Sequence, residues 1–433
     1  MMRYTQISRF FGASALSALI ATCAFAGQTN TLHILNVPGE RATDTTTAVR
    51  LSEGPTPWVV GNTGTGAFIP VPTAYRVQVS ISGPGTYTTV SYAMAFGVND
   101  QGWFVGRDTS AQRGYVWHPV YGKQLIPHPG DPAQRTYDAY DINNNGVIVG
   151  YALGGFFGSP PTPGGFVSYF NASDGSMTSY YIGGSPSSKT PFAINNAGNT
   201  GGYGGVFTTG SHPPARWMDA MGSVTPSAPA AGWTGLTGGG GTDVSYLVPT
   251  VGSGGAVHDI SEGAIPQYAA GVGVHSSTFE KLPVAYTWGG SNYIATVLPL
   301  PAGALAGVAA GVNDFGYMVG YAEFPFPPYG RFTHAMLWAP DGFGGWQVYD
   351  LNSLPGVAGS GWELLTAYDI NNGDGSCFWI VGQARRPAAG GGYEYRGYAL
   401  HFCVVPEPAS MIALGTGLVS LLALSRRRRT QTA

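Results

Sequence analysis

Charge is what this chain has least of. Only 10% of its 433 residues are Asp, Glu, Lys or Arg, against about a quarter in an ordinary soluble domain. The net charge of −3 gives no footprint for a polyanion, and no basic stripe occurs before the extreme C-terminus. Nucleic-acid binding is therefore excluded as a function class. Cysteine is sparse as well, three residues in all. Familiar catalytic motifs are missing: the chain has no Gly-x-Ser-x-Gly elbow, no His-Glu-x-x-His and no Cys-x-x-Cys. Its histidines, His33, His118, His128, His212, His258, His275, His334 and His401, share no metal-ligand spacing.

Gly, Pro and aromatics are abundant. The 67 Gly and 32 Pro are about twice the average share. Aromatics at 13% separate the chain from a disordered Gly/Ser linker. Many Tyr and Val among Gly, Pro and Asn imply short strands joined by tight turns. The length suits one large β domain or two ordinary ones.

Both ends carry processing signals. Arg3 and Arg9 precede a short apolar stretch, Ala13–Phe25, and Ala24-Phe25-Ala26 is a small-residue cleavage site before Gly27. This predicts a signal peptide over 1–26, cut between Ala26 and Gly27, and export through the Sec translocon. A lipoprotein anchor at Cys23 is disfavoured by Thr22. At the other end, Ala409–Ser425 is an uncharged run of 17 residues. As a helix it would reach about 26 Å, just short of a hydrocarbon core of about 30 Å. Arg426–Arg429 follow and can snorkel. The run reads as a transmembrane helix with its basic tail in the cytoplasm and the body of the protein on the far side.

Between these signals one phrase returns seven times: RLSEGPTPWVVGN (50–62), AFGVNDQGWFVGR (95–107), AYDINNNGVIVGY (139–151), PFAINNAGNTGGY (191–203), VHDISEGAIPQYAAG (257–271), AAGVNDFGYMVGY (309–321) and AYDINNGDGSCFWIVG (367–382). Its polar anchor is Ser52, Asn99, Asn143, Asn195, Ser261, Asn313 and Asn371, with spacings of 47, 44, 52, 66, 52 and 58. Asn99 with Gly102, Asn143 with Gly146, Asn195 with Gly198, Asn313 with Gly316, and Asn371 read as turn chemistry that supplies a left-handed backbone. The β-branched run behind each turn is a strand. A second apolar segment follows each phrase, for example 67–69, 114–117, 285–288 and 334–338. In several copies a third ends in Pro and Gly, as in KQLIPHPG, TVLPLPAG and QVYDLNSLPG.

Three or four short strands per unit of about 50 residues, repeated about seven times, predict an all-β chain folded as a β-propeller. Seven blades fit best, with six and eight as near alternatives. The last copy lacks its final strand, and TLHILNVPG sits at the start of the body. Residues 31–36 are therefore expected to close the last blade as a clasp. The domain expectation is signal peptide 1–26, propeller 27–403 and sorting segment 404–433.

Cys377 and Cys403 bracket a hairpin centred on Pro387–Gly392. In an exported protein they are expected to pair as a disulfide, with two free thiols as the alternative. Asp369-Ile-Asn371-Asn-Gly373-Asp374-Gly375 is similar to an oxygen-rich calcium loop but lacks its regular order and later Glu, so no metal or other cofactor is expected, with calcium at this loop as the alternative. Asp141, Asp259 and Asp369 recur before the Ile-Asn or Ile-Ser pair and read as turn or strand-edge residues. The insertions near 155–164 and 222–242 are the candidate binding loops.

Pro406-Glu407-Pro408, the apolar run and the Arg cluster, in this order, resemble the PEP-CTERM sorting signal of Gram-negative bacteria. The resemblance implies cleavage at this motif by a membrane exosortase, release to the cell surface or matrix, and a link to exopolysaccharide and biofilm. The DINNNGxxVG phrases with His334-Ala-Met-Leu-Trp338 also resemble the extracellular HAF repeats. The expected role is non-catalytic, binding or structuring polysaccharide or surface components. The alternatives are a secreted polysaccharide hydrolase or lyase on the same scaffold, which needs two carboxylates across a cleft, and a purely structural matrix protein.

Overall fold

The computed structural model describes residues 30–41, 43–64, 72–128, 135–153, 164–181, 189–204, 215–218, 251–275, 278, 280–290, 293–328 and 330–404. The signal peptide with its Ala26–Gly27 junction, Pro406, Glu407 and Pro408, the apolar run 409–425, and the loop segments 155–163 and 222–242 lie outside these residues. Among the described residues the structure is all-β and propeller-like, with a single 3₁₀ turn at Leu351–Ser353. No described helix is long and apolar enough to cross a membrane.

Why the phrases become strands is visible in their burial. In Thr73–Ser80 the side chains of Tyr75, Val77 and Val79 are buried, whereas Arg76 and Gln78 between them are not. The Val-Gly runs behave differently. Phe104-Val105-Gly106 and Val147-Ile148-Val149-Gly150 are buried without interruption, the signature of a strand covered on both faces. Each such strand is the second of its unit, pairing with the first and third.

The described strands fall into seven units, each a consecutive antiparallel meander. The first strands are Thr45–Leu51, Ala93–Val98, Arg135–Ile142, Lys189–Ile194, Val251–Ile260, Ala306–Val312 and Glu363–Ile370. Each contacts the first strand of the next unit, and Glu363–Ile370 contacts Thr45–Leu51, so the seven form a closed ring. The fifth phrase, the most degenerate in sequence, builds a full unit of four strands, Val251–Ile260, Tyr268–His275, Lys281–Trp288 and Tyr293–Val297. In the first unit the third strand is Thr73–Ser80; the expected segment 67–69 lies outside the described residues.

Unit 7 contains Glu363–Ile370, Cys377–Pro387 and Tyr393–Cys403, and its fourth strand comes from the other end of the chain. Thr31–Leu35 pairs antiparallel with Tyr393–Cys403, from Thr31 opposite His401 to Leu35 opposite Gly397. Leu32 and Ile34 pack against the cluster containing Phe378, Ile380, Leu400 and Phe402, while Leu35 and Val37 join the core shared with unit 1. This arrangement covers an edge that would otherwise offer unpaired backbone groups.

Every first strand carries a β-bulge at the same place. The pairing skips Val49, Phe96, Tyr140, Phe192, His258, Ala310 and Tyr368 in turn. The bulge explains the Gly that closes the Val-Gly run. A Cβ on Gly106 would lie 1.7 Å from the Met94 carbonyl oxygen, and one on Gly382 would lie 1.9 Å from that of Thr366. The bulged strand leans on its neighbour there, and no side chain fits.

Cys377 and Cys403 face each other in the register of unit 7 and are joined as a disulfide. The bond closes a loop with a sequence separation of 26, for which loop-closure entropy gives about 3 kcal/mol. Replacing both cysteines by serine is expected to lower the unfolding free energy by that order, read from urea denaturation, with reduced wild type behaving like the double variant.

Candidate functional site

The seven turns meet at one end of the ring, and each asparagine anchor does two jobs there. Its Oδ1 holds its own turn, accepting for instance from Trp103 N–H at Asn99 and from Val147 N–H at Asn143. Its Nδ2 reaches the next unit. Asn99 donates to the Asn143 carbonyl, Asn143 to that of Asn195, Asn195 to Ser261, Asn313 to Asn371, and Asn371 to Ser52, at 3.1–3.2 Å. Ser52 and Ser261 manage only the first job, accepting from Trp58 and Tyr268 N–H. The left-handed backbone belongs to the glycines, Gly102, Gly146, Gly198 and Gly316 at φ 73–87°, and to none of the asparagines. The anchors are thus buried ties between units as well as turn formers.

The residue after each anchor forms a second ring. Glu53 N–H donates to Asp100, Asp100 to Asn144, Asn144 to Asn196, Asn196 to Glu262, Glu262 to Asp314, Asp314 to Asn372, and Asn372 back to Glu53, at 2.7–2.9 Å. All seven backbone donors are satisfied by the side chain of the following unit, and the circuit closes. These side chains rim an open funnel of about 70 Å³.

The funnel floor is ionic. Arg50, two residues before Ser52, donates to Asp141 at 3.2 Å and Asp259 at 3.0 Å, with Asp369 at 3.8 Å. The arginine side chain is 13% exposed and the three carboxylates 7–11%. Each aspartate also accepts the N–H of the next unit: Ile194 on Asp141, Val312 on Asp259 and Leu51 on Asp369, all at 2.9 Å. The reading of these aspartates as turn or strand-edge residues is therefore corrected: they lie on the innermost strands and face one cation. Gly97 and Gly311 make room, since a Cβ there would come within 2.6 Å of the Asp141 Cα and 2.8 Å of the Asp369 Cα.

Burial, opposed by Arg50, raises the carboxyls of Asp141 and Asp259, and lifts that of Asp369 to about 7. On the rim, burial raises Glu53 to about 8 and Glu262 to about 7, with neighbouring carboxylates adding to the effect. Bulged residues of neighbouring first strands also lie close to one another. Phe96 and Tyr140 lie 6.0 Å apart, Tyr140 and Phe192 5.1 Å, and Phe192 and His258 6.2 Å between ring centroids. His258 Nδ1 lies 3.2 Å from the Ala309 carbonyl oxygen, and burial lowers its pKa to about 4.

Elsewhere, His334 bridges units 6 and 7 through Asp350 at 2.7 Å and Glu363 at 3.3 Å, and Glu363 in turn binds Arg385. The similarity of 369–375 to a calcium loop does not carry into the structure. Asp369 faces Arg50 and Leu51, whereas Asp374 accepts from Ser376 and Cys377 N–H. Among the described residues, the His, Cys, Asp and Glu side chains close enough to share an ion are Cys377, His401 and Cys403. The disulfide leaves no thiolate there to ligate one.

Sequence reasoning missed Arg50, the bulged aromatics and the rim glutamates. The signal was present in one column of the repeat. The position two before the anchor reads Arg50, Gly97, Asp141, Ala193, Asp259, Gly311, Asp369, and opposite charges in one column of a closed ring must meet at its axis.

Residues 404–429 match the PEP-CTERM protein-sorting motif. The motif marks the chain as an exosortase substrate, exported and sorted through a membrane-anchored form. Comparison with curated proteins finds no match. Three solved structures are similar in part. The gluconolactonase XC5397 from Xanthomonas campestris is 9% identical, covering 88% of this chain and 92% of that one, with a TM-score of 0.36. The phage phi92 endosialidase is 7% identical over 88% and 70%, TM-score 0.44. The subtype N11 neuraminidase-like protein of A/flat-faced bat/Peru/033/2010 (H18N11) is 9% identical over 89% and 97%, TM-score 0.37. With TM-scores this low, the fold rests on the strand pairing and ring contacts themselves.

Two outcomes are expected. Arg50→Met leaves three buried carboxylates without their cation and should cost about 3–5 kcal/mol at neutral pH in denaturant unfolding, less at pH 5, where protons replace the lost charge. The raised carboxyls also set a direction for the unmodified protein. In the native state they hold protons that the unfolded chain has lost, so the contribution of these three groups to stability is full below about pH 4 and is lost as pH rises through 7–8. Thermal unfolding from pH 4 to 9 should show this decline. Glu53→Gln, which keeps an acceptor for Asn372, should flatten it.

Proposed function

We propose that the chain is an exported seven-bladed β-propeller, clasped by its N-terminal strand. Exosortase sorts it to the cell surface or biofilm matrix, where it has a non-catalytic binding or structural role towards exopolysaccharide. The sorting motif at 404–429 supports the destination. The observation that carries the non-catalytic role is the fate of the axial acids. Each carboxylate of the floor and rim accepts a backbone N–H of a neighbouring unit. A general acid or base has to exchange its proton with substrate and be free to approach it. These groups hold the ring shut instead.

Recognition then falls to the ends of the ring and its loops, as is usual for scaffolds of this kind. An exopolysaccharide supplies many weak contacts along one polymer, which suits a protein with little charge and many aromatic side chains. Incubating the purified domain with exopolysaccharide from the native host and comparing size-exclusion profiles tests this. The expected result is polymer of unchanged size co-eluting with protein. Polymer shifted to smaller sizes would overturn the non-catalytic role, and separate elution of intact polymer would remove the binding role.

A further inference from the structure

The place where the described chain ends indicates which face of the ring looks at the membrane. Tyr393–Cys403 carries the chain to the end of unit 7 where the turn 371–376 contributes Asn372 to the funnel. There the Val404 N–H donates to the Ser376 carbonyl at 2.8 Å, and a Cβ on Gly375 of that turn would touch the Phe315 ring at 3.3 Å. The chain therefore leaves at the funnel end, beside the turn of unit 6. Five Cα steps separate Val404 from Ala409, where the apolar run of the sorting signal begins, and five steps span at most about 18 Å. The opposite end of the ring is further away than that tether reaches. The strand Met318–Phe326 alone covers about 26 Å.

We infer that, while the chain is anchored, its funnel end is apposed to the phospholipid surface, with the turn residues Phe315, Phe343, Ile265 and Val120 as the side chains that meet it. This rests on reading 404–429 as a membrane-anchored sorting signal. Phe343 is 95% exposed, Val120 76%, Ile265 51% and Phe315 46%. Phe315 and Ile265 stand in first-to-second-strand turns, and Val120 and Phe343 in third-to-fourth-strand turns, all at the funnel end. None of the four lines the funnel, so the apolar tips stand outside the carboxylate rim. Single aromatic and aliphatic side chains on turns suit the headgroup layer, where an apolar body can leave water without burying backbone. Phe326 and Tyr393 are exposed at the other end, so apolarity alone does not choose the face; the exit of the chain does. A consequence is that the membrane covers the funnel until the sorting motif is cut, and cleavage uncovers it.

The test uses the chain with its C-terminal segment intact, in vesicles of phosphatidylethanolamine and phosphatidylglycerol containing headgroup spin-labelled lipid. An environment-sensitive fluorophore is attached at Phe343→Cys or, separately, at Phe326→Cys, and flotation is run on the same samples. Both sites are exposed enough for the label to leave the fold intact. The expected result is floated protein whose label at 343 is quenched several-fold more than that at 326. Equal or reversed quenching in floated protein overturns the orientation and leaves the anchoring reading standing. Protein that stays at the bottom of the gradient overturns the anchoring reading and the orientation together.

Discussion

The whole arrangement depends on ring closure. A sheet whose middle strands are buried on both faces cannot be stable alone, because each face needs a neighbour. Stacking units in a line would leave two bare faces, and a ring leaves none. Here the circuit from Glu53 through Asp100, Asn144, Asn196, Glu262, Asp314 and Asn372 returns to its start. No unit keeps an unsatisfied turn at the axis. The low charge of the chain follows from the same geometry. Sheet faces that would be solvated in a two-layer protein are interior here, which leaves less surface for charge to cover.

The ionic floor is harder to justify as a source of stability. Desolvating one guanidinium and three carboxylates costs several kcal/mol per ion, and their attraction only roughly offsets it. What the cluster does supply is order. One arginine in unit 1 meets aspartates from units 3, 5 and 7, and each aspartate also holds the unit after it. With units missing or out of sequence, these groups would be buried unpaired. The glycines at 97 and 311 let the strands come close enough for this. Raised carboxyl pKa values are the physical consequence of three acids sharing one cation in a poorly solvated place.

Export fits the way the ends are treated. The first and last strands of the body pair with each other, and a disulfide crosses the last hairpin. Both devices resist fraying, and the disulfide suits a chain that is exported. They also put the exit to the sorting motif on a rigid element, so the direction in which the chain leaves the ring is part of the fold.

Much of this was legible beforehand because it is local and periodic. Seven phrases, the turn glycines, the strand runs, the missing last strand and the pairing of Cys377 with Cys403 all follow from spacing and from the backbone preferences of Gly, Asn and β-branched residues. The convergence of residues 50, 141, 259 and 369, hundreds of positions apart, was not legible. Neither was the second job of the asparagines, whose Nδ2 groups reach across to another unit. Local chemistry says that an Asn will hold a turn, but not that seven turns will face one another. The bulges at 49, 96, 140, 192, 258, 310 and 368 were hidden too, since a bulge shows only against its partner strand. By itself the sequence determined the repeat, the strands and the sorting signal, because turn propensity and sorting motifs act within a few residues. The tertiary structure alone decided that the repeats close on a shared axis and which charges meet there, because ring closure brings together groups that have no proximity along the chain.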